Sequence, residues 1–148
     1  MKFVVKKKFN ELTNLELYKI LKLRNEVFII EQNCLYLDID DIDLASTHLF
    51  IVEDDQVIAS TRLIPSNVEF SEASIGRVVV RQDYRSKNIE YKLMRESINY
   101  LINNMNENTI KIEAQSYAIK FYEKVGFKNL GDEHILDGIP HVWMIYPN

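Results

Sequence analysis

Apolar residues recur along this chain with two alternating periods. From Lys2 to Phe9 an apolar start runs into Lys6-Lys7-Lys8, which predicts a first strand with its lysines on a solvent face. Thr13 and Glu16 then have the spacing of a capping box, in which the hydroxyl caps a helix start and the carboxylate reaches back to it. Leu17, Ile20, Leu21, Val27 and Phe28 fall on one side at helical spacing, so the helix is expected to run to about Glu31. Asp38 to Asp43 reads as a polar loop and His48 to Glu53 as a strand. Asp54-Asp55 turns that strand into Val57 to Leu63, an antiparallel hairpin.

A second polar connection, Pro65 to Glu72, precedes the strand Ser74 to Val80. After a polar turn, Ile89, Leu93, Ile98 and Leu101 mark a helix that ends near Asn103-Asn104. Thr109 to Ala114 is a strand with alternating Ile110 and Ile112. Ser116 starts a shorter helix that carries Ala118, Phe121, Tyr122 and Val125 and stops at Gly126. Phe127 to Leu130 and His141 to Tyr146 are strand candidates separated by a loop, Asp132 to Pro140. With no repeat, linker or low-complexity tract, the order predicts an α+β protein with helices around one mainly antiparallel sheet.

The 148 residues, 47% hydrophobic and 27% charged, fit a single domain spanning 1–148 with a sizeable core. A net charge of −4 argues against a nucleic-acid partner, because phosphate backbones reward a broad surplus of Lys and Arg. The apolar run before Lys6 is too short for a signal peptide, and no stretch approaches the ~18 apolar residues of a membrane span. A cytoplasmic protein without a membrane partner is expected. One cysteine, Cys34, excludes an intramolecular disulfide and gives no support to a Cys-based metal cluster. Its simplest reading is a small buried apolar residue. No metal site is expected.

Charge becomes informative locally. Ile75 to Arg95 holds six bases (Arg77, Arg81, Arg85, Lys87, Lys92, Arg95) against two acids (Asp83, Glu90). A cationic patch on an acidic protein, placed where a strand turns into a helix, points to an anionic ligand. A second strand-to-helix unit, Ile110 to Phe127, would bring another positive helix start to the same sheet edge if the two strands are neighbours. From there the Tyr122 hydroxyl could reach between the strands and donate a proton to a leaving group.

Several segments resemble the acyl-CoA-binding core of the GNAT acetyltransferase superfamily, and more closely the ElaA family. They are Leu23-Arg24 with Val27-Phe28 and Glu31-Gln32, Ile75-Gly76-Arg77-Val78-Val79-Val80, and Arg85-Ser86-Lys87-Asn88-Ile89-Glu90. Ala114-Gln115, Phe121-Tyr122 before Gly126-Phe127, and Asp137-Gly138-Ile139-Pro140-His141 extend the resemblance over nearly the whole length. It implies a GNAT-type fold, a single mixed, mainly antiparallel splayed sheet flanked by helices. It also implies acetyl-CoA as acyl donor and an amine of a small molecule or peptide as acceptor, which attacks the thioester directly. The pantetheine arm would pair with the backbone of Val78, Val79 and Val80, beside Gln115, and the pyrophosphate would meet the amides of Ser86 through Glu90. Tyr122 would protonate the departing thiolate, and a backbone N–H near Val79 or Val80 would stabilise the oxyanion. A monomer or homodimer is expected.

The sequence departs from that pattern at the phosphates. Asn88 and Glu90 stand where the family uses small residues, chiefly Gly, and Ser86 replaces a common Gly. Asn tolerates positive φ, so Asn88 can keep the turn. Glu90 either marks a loop that no longer holds CoA, leaving a non-catalytic binding module, or points outward while Arg85 and Lys87 hold the phosphates. A third reading is an enzyme like the acyl-homoserine-lactone synthases, whose first helix also carries an Arg and a Val-Phe pair. Candidates for the general base are Glu31, His48, Glu113 and His141, the last entering a strand beside the expected cleft. Asp38, Asp40, Asp41 and Asp43 could draw a cationic amine, although a solvated acidic loop is the simpler expectation. Arg24 and Glu31 are expected to pair, and Trp143 to pack in the core or at its rim.

Overall fold

The computed structural model describes residues 2–148. Strands β1 (Lys2–Lys8), β2 (Thr47–Glu53), β3 (Gln56–Ile64) and β4 (Ser74–Val80) pair antiparallel in sequential order. Strands β5 (Ile110–Gln115), β6 (Lys128–Leu136) and β7 (Ile139–Tyr146) form a second antiparallel ladder in the order β5-β7-β6. A parallel bridge between Ala73 and Ile110 joins the ladders, and the Lys111 N–H donates to the Ala73 carbonyl at 2.8 Å. Beyond it β4 and β5 part. The expected α+β architecture is present as a sheet splayed between these two strands.

The splay begins at a register change in β4. Ser60 pairs with Val79 and Arg62 with Gly76, so Arg77 and Val78 together oppose Thr61, and Arg77 adopts φ 48°. Two residues against one is a β-bulge, which bends the strand and reverses the faces beyond it. Ile75 and Val80 would face opposite ways in a regular strand, yet both enter the same core cluster.

Helix α1 (Asn14–Arg24) starts at the anticipated capping box: Glu16 N–H donates to Thr13 Oγ1 at 3.0 Å and Thr13 N–H to Glu16 Oε1 at 2.9 Å. It widens into a π-helical segment over Asn25–Glu31. On one face of the first ladder, Ile20, Leu23 and Val27 pack on Phe50, Val57 and Val79. On the other, α3 (Ile89–Asn103) lays Leu93, Met94, Ile98 and Leu101 on Leu49, Ile51 and Leu63. Leu49, Phe50 and Ile51 thus alternate between two helical covers, as the pleat requires. Helix α4 (Ile119–Val125) follows a single 3₁₀ turn and ends at Gly126. Gly126 has φ 118°, and a Cβ there would lie 2.8 Å from the Tyr146 ring, so both backbone and space demand glycine.

The loop expected over Asp132–Pro140 is instead paired strand. β6 continues to Leu136, Asp137 and Gly138 turn with φ 51° and 76°, and β7 begins at Ile139. Polar residues on an exposed edge strand imitate a loop, while Asp-Gly with both φ values positive is a tight hairpin turn. Pro140 is tolerated because the β5 ladder starts at the next residue, with Gln115 opposite His141.

The acidic segment is likewise not a solvated loop. Ile42–Ala45 forms a short helix, α2, and Asp38 and Asp43 are buried. Arg24, 1% exposed, donates from Nε to Asp38 Oδ2 and from Nη1 to Asp43 Oδ1, each at 2.9 Å. Arg62 from β3 reaches Asp40 Oδ1 at 2.5 Å and Asp43 Oδ1 at 3.1 Å, and Arg77 from the bulge reaches Asp38 Oδ1 at 2.9 Å. Arg24 therefore pairs with these aspartates and not with Glu31. Three arginines face three aspartates, a neutral set that can be buried. Burial pushes the Asp43 carboxyl up, but the bonds from Arg24 and Arg62 more than reverse this and hold it below its usual range.

Replacing Arg24 by Met leaves Asp38 and Asp43 buried with unmatched charge. The variant is expected to lose about 3–5 kcal/mol of unfolding free energy, measured as a fall in urea midpoint at unchanged slope. A loss below about 1 kcal/mol would mean that the cluster is not buried in solution.

Candidate active site

Where β4 and β5 part they leave a cleft of about 250 Å³. Ser74 to Val78 form one wall and Ile112 to Gln115 the other, while Tyr117, Ala118 and Tyr122 close one end. Phe28, Gln32, Cys34 and Tyr36 come from the end of the first helix and the chain after it, and Leu136, Asp137, Ile139 and His141 from the β6–β7 hairpin. Cys34 is half-buried at this cleft and not a core residue.

Tyr122 sits on α4 with its ring edge-on to Phe121 and Phe127, at centroid distances of 5.2 and 5.9 Å. That packing fixes the phenol at the cleft, where burial, reinforced by Glu90 and Tyr117, pushes its pKa well above the usual value. The phenol therefore keeps its proton through the neutral range and is available as an acid or hydrogen-bond donor.

The loop at the foot of α3 has the backbone of an anion cradle. Ser86 and Asn88 both adopt left-handed conformations, φ 66° and 60°, so Asn88 supplies the turn in place of glycine. No side chain caps the first turn of α3, which leaves its amides free for a ligand. Two side chains oppose a phosphate. Glu90 lines the rim of the cleft but remains exposed, and partial desolvation raises its pKa despite the nearby Arg85. Arg85 is occupied, donating to Glu31 at 2.5 and 3.0 Å and to the Val80 carbonyl at 3.1 Å. Lys87 is exposed, with its ammonium 5.2 Å from the centroid of the Tyr84 ring. Ile89 is buried in the core, as are the side chains of Val79 and Val80.

On the acceptor side, the four base candidates separate. His48 is buried and its Nε2 donates to the Asp43 carbonyl, and burial lowers its pKa. Glu31 is held by Arg85, whose hydrogen bonds lower its pKa. Neither lines the cleft; Glu113 and His141 both do. His141 Nδ1 lies 2.7 Å from the Ile139 carbonyl and must donate to it, so the neutral ring carries its lone pair on Nε2. Glu113 is backed by His134, whose Nε2 donates to Oε2 at 2.5 Å. His134 stacks on Trp143 at 5.3 Å, and Trp143 meets Phe70 edge-on, so the tryptophan lies at the rim.

Sequence reasoning overlooked His134, Tyr36, Tyr117 and Glu69. The Asp137-Gly138 turn could have found the first, since counting outward from it pairs residue 134 with 141. Tyr36 alternates with exposed Leu35 and Leu37, a period of two that puts it on the inner face beside Asp38. Burial and the Asp38 carboxylate push its phenol up to about 12. Tyr117 and Glu69 carry no comparable sequence signal.

The comparisons with known proteins agree with this geometry. An acetyltransferase (GNAT) domain model matches residues 16–147. A UPF0039 protein of Schizosaccharomyces pombe is 39% identical over 142 residues, 95% of this chain and 93% of the relative. An acyl-CoA N-acyltransferase from Pseudomonas aeruginosa superposes with a TM-score of 0.91 at 30% identity, covering 97% of this chain and 98% of the other. Escherichia coli ElaA gives the same TM-score and identity over 98% of this chain and 99% of its own. A sheet opened at a bulge, with a helix start on each side of the opening, defines the N-acyltransferase class of α+β folds. The chain belongs to the GNAT acetyltransferase family, among its ElaA-like members.

Because partial desolvation at the cleft rim holds the Glu90 carboxyl above its unfolded value, the native protein binds that proton more tightly than the unfolded chain does. The resulting penalty is absent below the unfolded pKa and grows as the pH rises past it. Glu90→Gln should therefore melt above the wild type at about pH 7, with the difference shrinking toward about pH 4 in paired calorimetric scans. An equal difference at both pH values would rule out charge as its origin.

Proposed function

We propose that residues 1–148 form one cytoplasmic acyltransferase domain that moves an acetyl or related acyl group from acyl-CoA to the amine of a small molecule or peptide. The observation that carries this reading is the Tyr122 phenol, held protonated at the opening between β4 and β5. Parted strands offer backbone groups to an amide-bearing chain such as pantetheine, and the left-handed Ser86 and Asn88 with the uncapped start of α3 suit its pyrophosphate.

In this reading the amine nitrogen attacks the thioester carbonyl, its excess proton passes to His141 Nε2 or to the Glu113 carboxylate, and the C–S bond breaks. Tyr122 gives its proton to the sulfur, and exchange with solvent returns both groups to their starting states. A backbone N–H of the bulged β4 stabilises the oxyanion. No covalent enzyme intermediate is required. No described helix is long and apolar enough to cross a membrane.

A second reading, a binding module without chemistry, is favoured by one observation: Glu90 lines the rim of the cleft beside the loop that a phosphate would approach. The double variant Asn88→Gly/Glu90→Gly separates the two. If its affinity for acetyl-CoA rises by orders of magnitude, the native loop is defective; if it barely changes, the native loop already works.

Acetyl-CoA at about a hundredfold over Kd should add ~2.7 kcal/mol, raising Tm by several degrees. Tyr122→Phe should bind acetyl-CoA as tightly as wild type and lose about 10²- to 10⁴-fold in kcat. The absence of any melting shift with a panel of acyl-CoAs at millimolar concentration would overturn the proposal.

A further inference from the structure

Arg85 belongs to the cradle loop, yet its fork is filled from a distant part of the chain. Its Nη1 donates to Glu31 Oε2 at 2.5 Å and its Nη2 to Glu31 Oε1 at 3.0 Å, across 54 residues of sequence. The mutual hydrogen bond is the largest influence on each group, lowering the Glu31 pKa and raising that of Arg85. Both side chains remain accessible, at 37% and 35% of their surfaces. Exposed ion pairs contribute little to folding. This one therefore holds the arginine fork occupied without holding the fold together.

A carboxylate and a phosphate present the same paired oxygens to a guanidinium, and each is bound bidentately by it. The left-handed Ser86 and Asn88 and the uncapped start of α3 lie on the same loop and offer backbone amides to a phosphate, whereas none of them bonds Glu31. We infer that Glu31 is an internal stand-in for a phosphate, a latch on Arg85 that the pyrophosphate of an incoming donor displaces. Glu31 thereby determines how strongly a phosphoryl-bearing donor binds. The identity of the donor rests on the acyltransferase reading; the latch itself does not.

The test is a double-mutant cycle read by calorimetric titration, with inorganic pyrophosphate and, separately, acetyl-CoA. Glu31→Gln removes the competing charge and should bind pyrophosphate about three- to tenfold more tightly than wild type. Arg85→Gln should bind it more weakly, and Glu31→Gln/Arg85→Gln should bind like Arg85→Gln alone, because the latch has nothing left to release. Equal or weaker binding by Glu31→Gln, a gain that persists without Arg85, or pyrophosphate bound by neither wild type nor Glu31→Gln would each overturn the latch. Tighter pyrophosphate binding with no uptake of any acyl-CoA would leave the latch standing and remove the donor assignment. Pyrophosphate bound equally by wild type and Glu31→Gln, with acetyl-CoA still taken up, would do the reverse.

Discussion

The neutral cluster of Arg24, Arg62 and Arg77 with Asp38, Asp40 and Asp43, buried except at Arg77 and Asp40, is the contact on which the site depends. It draws four parts of the chain to one place: the end of α1, the acidic segment, the middle of β3 and the bulge of β4. Arg77 reaches Asp38 from its left-handed position, so the ion pair holds the bulge in place. Left-handed backbone at a residue other than glycine is strained, typically by about 1–3 kcal/mol, and the guanidinium contacts offset it. Glycine would relieve the strain and lose the anchor. The bulge beside the opening between β4 and β5 is thus held by ion pairs as well as by strand geometry.

The same cluster sets the charge of the cleft. Arg62 and Arg77 line it, but their charge is matched by aspartates behind them, leaving the carboxylates to dominate. Burial raises the pKa of Glu69, only partly countered by the field of Arg62, and Glu90 is raised in the same way. Glu113 is held in place by His134. The cleft is thus uneven in charge: Glu69 and Glu113 line it outside the cluster of matched arginines and aspartates, whereas the loop beneath α3 offers backbone amides and keeps its arginine occupied.

Local signals in the sequence carried most of the fold. The Thr13-Glu16 capping box, the spacing of Ile89, Leu93, Ile98 and Leu101, and Gly126 at the end of α4 each act within a few residues, and all appear in the structure as read. Tyr122, Glu113 and His141 also reach one cleft. What escaped was decided over long range. β6 is polar because it is an edge strand, and only its pairing with β7 distinguishes it from a loop. The partners of Arg24 lie 14 and 19 residues away and belong to a run that composition alone assigns to solvent. Glu31 appeared as a partner for Arg24 or as a base because nothing nearby in sequence announces Arg85.

A sheet that opens in its middle acquires two inner edges in addition to its outer ones. Unpaired strand edges ordinarily invite association with strands of other molecules. Here the inner edges of β4 and β5 face each other inside a cleft that is flanked by α4 and overhung by the hairpin at Leu136 to Ile139. The flanking helix and hairpin leave these edges less open to a foreign strand than an outer edge would be. The architecture that admits a ligand therefore also shields the protein from aggregating through the surface that binds it.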